Sequence, residues 1–533
     1  MLCFHMPKVW DSIVIGAGVG GLISAAKLLK AGLRVLILER NPHPGGTAYV
    51  YQRKGFSFPM GPLGFSSPEM IRETLDDLDV GENLEFSRVH YRIKAFDLDI
   101  PISLPFTEMT NELAGLFFSD AQGIERFFKE IEAILTSQKS LSADTPDSTS
   151  RHPSGISASS YLHNLIKDWR LRRVLGSIGT REPYSSLPLL AAMWNLMGRE
   201  GIWYPKEEMQ SFCERLSRAV ASANIHLTND PQRRKDGFGE IRLNKEVAKI
   251  RVKKGEILGV TLRDGTNIDS GSVISNADYK TTFIRLLEPQ AVPPEWYDAV
   301  SNARQTGSIL QVCLGVDARK VDLSPFNEAT RLIYRINTDG SNEKELNWNA
   351  QAIDPEALAS QELEVSLWGD MNRLPLDGKG AAIVIRTEAE HHHFTKYRSL
   401  YSRIPTYQEY KIRLSYALIH EIDHLLPGLK KAILAMDVAT PLTFEDQGGR
   451  SGGAVAGWSW DYADFQDNQP RELIRTPVRG LYMAGYQAFS ALFMGGVPTA
   501  MESGKRAARA VLEGTGPTEK TLIPLTPSLF PQG

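Results

Sequence analysis

The sequence predicts an α/β fold: a parallel sheet carrying a three-stranded β-meander, built from three separated stretches, with an α+β domain inserted between them. Three observations predict it. A glycine-rich turn joins two short apolar strands near the N-terminus. An alternating meander at 240–278 runs into an apolar strand. A last strand and helix, 480–485 and 497–512, lie far down the chain, where they can complete the same sheet. The length, 533 residues, exceeds one ordinary core and suits two or three interleaved units.

Residues 12–40 read strand, glycine turn, helix, strand. Ile13-Val14-Ile15 is a short apolar strand, and Gly32 stands where a helix C-cap wants glycine. Val35-Leu36-Ile37-Leu38 is apolar at every residue, as a parallel strand covered on both faces must be. Between the strands, Gly16-Ala17-Gly18-Val19-Gly20-Gly21 is G-x-G-x-x-G at a strand-to-helix junction. Gly16 permits the tight turn, Gly18 lets the backbone approach a pyrophosphate, and Gly21 lets the helix pack against the strand. The helix N-terminus offers free N–H groups and partial positive charge to phosphates. Glu39, 23 residues after Gly16, ends the next strand and can accept hydrogen bonds from ribose hydroxyls. The unit is Rossmann-like and predicts an adenine dinucleotide. A nicotinamide domain would proceed to another βαβ unit. Here 41–61 instead pass through a second pair, Gly45-Gly46, into a turn and an alternating strand, as an extended cofactor with a second close approach requires.

Further along, 136–155 are rich in Ser, Thr, Asp and Pro and read as an exposed loop. Residues 187–197 (LPLLAAMWNLM) are the most apolar stretch, but fall short of the ~18 residues that would suggest a spanning helix. They read as a buried helix, the livelier alternative being a monotopic patch or the wall of a lipophilic tunnel. In the meander, strands around Val247, Ile250 and Val252 turn at Lys254-Gly255 into a strand at 257–262. That strand turns at Asp264-Gly265 and is followed by the apolar strand 273–278. Residues 296–440 mix strands (309–316, 364–368, 382–387) with a helix at 406–426.

Composition excludes several classes. Apolar residues are 42%, charged residues 23% and the mean hydropathy is −0.24, which fits neither disorder nor a membrane bundle. Sixty Lys and Arg against 63 Asp and Glu give no electrostatic case for nucleic acid. Three scattered cysteines suit a reducing compartment and neither a disulfide framework nor a zinc site. The expected location is cytoplasmic, with peripheral membrane contact if the substrate is lipid-like.

Several motifs in order then resemble one family. Glu39-Arg40, Gly45-Gly46-Thr47, Gly55-Phe56-Ser57-Phe58 and Gly61-Pro62 form E-R-x(4)-G-G-x followed by G-F-x-F-x-x-G-P. Later come Gly201-Ile202-Trp203-Tyr204-Pro205, the segment VISNADYKTTFIRLL at 273–287, and Thr440-Pro441-Leu442-Thr443-Phe444. Gly452-Gly453-Ala454-Val455, Gly480-Leu481-Tyr482-Met483-Ala484-Gly485 and Gly495-Gly496-Val497-Pro498 complete the set. Together they resemble the phytoene desaturase, carotenoid isomerase and retinol saturase branch of the FAD-dependent flavin amine oxidoreductases.

The resemblance implies a Rossmann-like, two-dinucleotide-binding FAD domain at 9–95, 200–295 and 440–515. A substrate or lid domain would comprise 96–199 and 296–439, with a tail at 516–533. It implies FAD contacts at the Gly16 loop, Glu39, Arg40, Gly45, Gly61, Pro62, Leu63, Asn276, Gly485 and Tyr486, with Val247 as a backbone contact to adenine. Gly46, Thr47, Gly496 and Val497 would line the flavin and ribityl region. It further implies a small apolar unsaturated substrate and oxygen or a quinone as electron acceptor. Four positions depart from the pattern. Thr47 stands where the family often has Arg, Pro59 where an acidic residue is common, Lys206-Glu207-Glu208 where a glycine pair is usual, and Tyr486 where Asp is frequent. The function expected is hydride transfer between flavin N5 and a C–C bond, in desaturation, saturation or isomerisation. The alternatives are an amine oxidase acting on a C–N bond, or a catalytically silent FAD-binding protein.

Other residues favour plainer readings. His391-His392-His393 cannot converge on one metal ion from adjacent positions and reads as a polar surface turn. Cys313 reads as core. Trp203, Tyr204, Trp368, Trp458, Tyr486 and Phe489 read as packing, or else as an apolar slot over the flavin. Arg450 reads as a surface charge, or else as the partner of a substrate carboxylate. No side chain stands out as a general acid or base, no metal site is expected, and no hydrolase motif appears.

Overall fold

The computed structural model describes residues 10–102, 104–141, 157–177, 187–221, 238–335, 347–368, 379–398, 405–458, 471–490 and 496–514. The first sheet grows from the N-terminal unit. Strand β1 (Trp10–Ile15), helix α1 (Val19–Lys30) and strand β2 (Val35–Leu38) are buried along nearly their whole length. Helix α1 ends as Gly32 takes φ +85°, where Leu33 N–H returns to the Leu28 carbonyl at 3.1 Å. The sheet runs Val247–Lys253, Glu256–Leu262, Asn267–Ser275, β1, β2, Gly239–Arg242, and Leu481–Met483 pairs with Asn267–Ser275.

The meander and the parallel strand expected after it share one element. Residues 267–269 pair antiparallel with 259–261, then 270–275 pair parallel with β1 and 273–275 with 481–483. Burial explains the change of partner: the first residues are largely exposed, and the last four are buried without interruption.

The second sheet runs Ile433–Ala439, Ile309–Asp317, Gly380–Glu388, Leu363–Trp368, Arg331–Arg335, Tyr91–Ala95, Leu98–Pro101. It is antiparallel apart from the pairing of Tyr91–Ala95 with Arg331–Arg335. Leu310, Val312, Leu314, Ile383 and Ile385 cluster with Leu414, Leu418 and Ile422 of helix Thr406–Leu425. Gln311, Cys313, Arg331, Trp368 and Arg386 occupy the alternate face, and Gln311, Arg386 and Arg331 reach the chain at Pro59, Gly61 and Leu63. There Phe56 lies over Gly315, where a Cβ would come 2.4 Å from the ring.

Helices Phe106–Leu116, Ala121–Leu141 and Leu187–Trp194 form a third cluster. Residues 187–197 are accordingly a buried helix: Trp194 stacks edge-on against Phe128 at 5.2 Å, and its indole N–H reaches the Leu175 carbonyl at 3.0 Å. Among the described residues no helix is long and apolar enough to cross a membrane. Of the loop expected at 136–155, residues up to 141 continue helix Ala121–Leu141, and 142–155 lie outside the described residues.

Candidate functional site

A cavity of about 690 Å³ runs along the carboxyl ends of β1 and β2 and on to the second sheet. Its first wall is the glycine turn. Gly16 takes φ +92°, and a Cβ on Gly21 would lie 2.2 Å from the Gly16 carbonyl oxygen, so helix and strand touch backbone to backbone. Asn276, from the end of Asn267–Ser275, is the hub of this wall. A Cβ at Gly18, Gly20 or Gly485 would come within 2.7–2.9 Å of its side-chain amide. Helix α1 opens at Gly18 with no side-chain cap and no acidic residue in its first turn, which leaves its leading N–H groups to a ligand.

Glu39 is buried and fixed. One carboxylate oxygen accepts the Ala17 N–H at 2.7 Å, and the other accepts the Asn41 N–H at 2.8 Å. Each oxygen keeps lone-pair capacity for a further donor. The second glycine pair closes on the first turn: Gly45 N–H donates to the Ala17 carbonyl at 2.8 Å, and a Cβ on Gly46 would meet Gly18 Cα at 3.3 Å. Behind Gly45 lies Cys213, whose thiol burial pushes up to about 12.

Of the residues expected at the site, Gly16, Gly18, Val19, Gly20, Glu39, Arg40, Gly45, Gly46, Thr47, Gly61, Pro62, Val247, Asn276, Gly485, Tyr486, Gly496 and Val497 line the cavity. Ala17, Gly21 and Leu63 support it from behind. Ala17 orients Glu39, Gly21 admits the helix, and the Leu63 carbonyl accepts from Arg331 at 3.1 Å.

Beside Tyr486, the far wall holds groups that sequence reasoning did not assign to the site. Arg450 lines the cavity and is not a surface charge. Its guanidinium donates to Thr47 Oγ1 at 3.0 Å and to the Ala454 carbonyl at 3.3 Å, and burial pulls its pKa down. Arg386, a lone cation in an apolar strand, also lines it. This guanidinium donates to Gln311 Oε1 at 2.7 Å and to the Gly61 carbonyl, and burial lowers its pKa. Its isolation within the run AAIVIR was the signal available in the sequence. Asp278 accepts from Ser451 Oγ at 2.6 Å, Thr281 N–H at 3.0 Å and Gln305 Nε2 at 3.0 Å. Burial pushes the Tyr486 hydroxyl well above its usual range, partly offset by Arg450.

Among the six aromatics weighed as an apolar slot, only Tyr486 lines the cavity. Trp368 packs on Tyr204 at 4.8 Å, and Trp458 on Tyr279 at 5.6 Å. The histidine run passes from a turn at His391 into a short helix, His392–Thr395, with His392 exposed and only His393 departing from the surface reading. His393 is fully buried with Nε2 at 3.1 Å from the Trp348 carbonyl, and His391 meets Glu445 at 3.1 Å. The two side chains thus have separate partners.

The fold and the cavity together invite comparison with known proteins. Residues 19–374 match the profile of the flavin containing amine oxidoreductases. The chain belongs to that family. It is a flavin-dependent oxidoreductase with the α/β architecture the glycine turn announces. Prolycopene isomerase 1, chloroplastic, of an Oncidium hybrid cultivar is 24% identical over 515 residues, 90% of this chain and 80% of that one. Phytoene desaturase (lycopene-forming) of Pantoea ananas is 24% identical over 465 residues, 81% and 86% of the two chains. Among solved structures, an oxidoreductase from Methanosarcina mazei superposes with a TM-score of 0.61 at 17% identity, covering 94% of this chain and 99% of that one. Flavin amine oxidoreductases thus supply the frame for the cavity's chemistry.

Proposed function

We propose that the cavity holds FAD and that the protein transfers hydride between the flavin and a C–C bond of an apolar, unsaturated, isoprenoid-like substrate. The observation that carries this reading is the single cavity running from Glu39, past the bare N-terminus of α1, to Tyr486, Gly496 and the second sheet. The cradle fits as well: the first turn of α1 keeps its N–H groups bare, and Gly18 and Gly20, where a Cβ would strike the Asn276 amide, let the turn close on Asn276. The relatives named as a carotenoid isomerase and a desaturase support the substrate class.

Glu39 would hold the adenosine ribose hydroxyls, and Val247 would contact adenine. The first turn of α1 would hold the diphosphate, and Gly46, Thr47, Gly496 and Val497 would surround the ribityl and ring end. Bound there, FAD supplies a two-electron centre that takes or returns a hydride at N5. The chain's share is to fix the ring, exclude water and place the reacting C–H about 3–3.5 Å away. The second sheet, whose Arg386 and Ile309 reach the cavity, closes the ring end. We assign 9–95, 200–295 and 440–515 to FAD binding and the intervening segments to the substrate, with oxygen or a quinone accepting the electrons.

Anaerobic titration of the purified yellow protein tests this. Bleaching of the flavin bands by a carotenoid-type polyene is expected. Bleaching by putrescine instead moves the reaction to a C–N bond, and no flavin spectrum even after adding FAD overturns the reading.

A further inference from the structure

The cavity carries more positive charge than its own carboxylates neutralise. Six cations line it: Arg40, Lys245, Arg263, Arg285, Arg386 and Arg450. Lys245 pairs with Asp264 at 3.1 Å, Arg263 with Glu246 at 2.6 Å, and Arg285 with Glu445 at 4.0 Å. Arg40 turns to the Asp446 and Gln447 carbonyls at 3.0 and 2.9 Å, where it anchors the loop that carries Arg450. Arg386 is held against the second sheet by Gln311 and the Gly61 carbonyl.

Arg450 differs from these in place and in partners. Among the described residues no carboxylate oxygen lies within 4.0 Å of it. Asp278 attracts it from farther off, with both oxygens already bonded to Ser451, Thr281 and Gln305. Its bonds go to neutral acceptors: Thr47 Oγ1 and the carbonyls of Ala454 and Val455. A partly desolvated guanidinium with only neutral partners is costly until an anion arrives.

The path from Arg450 to the α1 N-terminus is short. Thr47 follows Gly45-Gly46, Gly45 bridges to Gly18, and Gly46 lies against Gly18 Cα. Gly18 is the N-cap of α1, whose first turn has neither a side-chain cap nor an acidic residue. Thr47, at the start of the ribityl stretch, is thus one residue from the glycine that touches Gly18, so two anion-seeking features flank the same part of the cavity. One is a helix N-terminus and the other a guanidinium held by Thr47. A diphosphate with two negative charges satisfies both; a hydrocarbon satisfies neither.

We propose that Arg450 is the side-chain cation for the dinucleotide's diphosphate, brought across the cavity from a segment 403 residues after Thr47 and aimed by the Thr47 hydroxyl. This rests on the FAD reading of the cavity and is independent of the substrate. Failure of polyenes to bleach the flavin would leave it standing.

The test titrates stripped wild-type protein and its variants with FAD and, separately, with ADP, which carries the diphosphate and lacks the flavin. In Arg450→Met, both affinities are expected to fall about tenfold or more, the loss of a charge-assisted bond. Arg450→Lys should recover most of that loss, and Thr47→Arg placed in the Arg450→Met background should bring both ligands back to within about threefold. Thr47→Val, which keeps the charge but frees it, should cost both ligands about threefold and serves if Arg450→Met does not fold. FAD and ADP affinities within twofold of wild type in a folded Arg450→Met protein overturn the proposal. A loss for FAD with none for ADP overturns it too, by moving the cation to the ring.

Discussion

At the residue scale, the glycine turn is a steric argument with a measurable edge. Gly21→Ala puts a methyl 2.2 Å from the Gly16 carbonyl oxygen. Backbone on both sides leaves no flexible group to yield, so the helix must move at a cost of about 1–3 kcal/mol. The purified variant is expected to lose most of its flavin, read as the ratio of absorbance at 450 to 280 nm. Gly115, with nothing within 4 Å of its virtual Cβ, is the contrast, and Gly115→Ala should stabilise by about 0.4–1 kcal/mol. Glu39→Gln keeps the shape but leaves one acceptor oxygen for two backbone donors, Ala17 and Asn41. A buried N–H left open costs about 1–3 kcal/mol. FAD affinity should drop at least tenfold, measured by flavin fluorescence. His393 sets a pH dependence. Burial, reinforced by the neighbouring His392, pulls its pKa down to about 4. Between pH 6.5 and about 4 the unfolded chain therefore takes up a proton that the folded one refuses, and stability falls as pH falls through that window. Nε2–H donates to the Trp348 carbonyl, and the Trp348 and Ala350 backbone offsets the effect of burial only in part. His393→Gln should unfold with a flatter pH profile across the same window, and an unchanged profile would remove His393 as its source.

At the scale of elements, what the sequence made legible was whatever repeats locally. The strands β1 and β2, the turn between them and the meander all carry their signal in neighbouring residues, and each folds where its pattern stands. Less legible were features set by distant partners. The meander's third strand and the parallel strand were read as two, because exposure changes halfway along 267–275 and only the sheet shows both pairings. His393 looked like part of a solvated turn, yet Trp348 from another segment covers it. The C-terminal helix Gly496–Glu513 shows how tight such distant packing becomes. Gly504 meets α1 so closely that a Cβ would lie 2.5 Å from the Gly20 carbonyl and 3.0 Å from Ile23 Cβ. Gly504→Ala should separate the two helices, lower stability by about 1–3 kcal/mol and speed flavin loss, because Gly20 lines the cavity. Urea unfolding followed by circular dichroism, with flavin fluorescence as the second probe, measures both effects.

At the scale of the whole molecule, the cavity depends on how the two sheets are tied. Three side chains from separate strands of the second sheet donate to carbonyls of the segment that leaves strand Phe56–Pro59: Gln311 to Pro59 at 2.8 Å, Arg386 to Gly61, and Arg331 to Leu63 at 3.1 Å. The carbonyls of Pro59, Gly61 and Leu63 are thus each met by a side chain from the other sheet. Composition gave no hint of this tie. The isolation of Arg386 in its apolar strand is visible in the sequence, but the partners of Arg331 and Arg386 are set only when the sheet places both on the face opposite the helix Thr406–Leu425. Gly61 and Pro62 belong to the cavity wall, which makes the tie a mechanical link between cofactor and second sheet. Gln311→Leu breaks it at one end. The Pro59 carbonyl loses its donor, at about 1–3 kcal/mol for a buried group left unpaired, and Arg386 keeps only the Gly61 carbonyl. In the wild-type protein, flavin release and loss of ellipticity on heating should coincide, because the tie makes the sheets melt together. In Gln311→Leu, flavin should be released several degrees below the main loss of ellipticity, as the cavity wall detaches while both sheets persist. If the two transitions move down together instead, the three bonds are ordinary packing, and the cofactor wall is held by the first sheet alone.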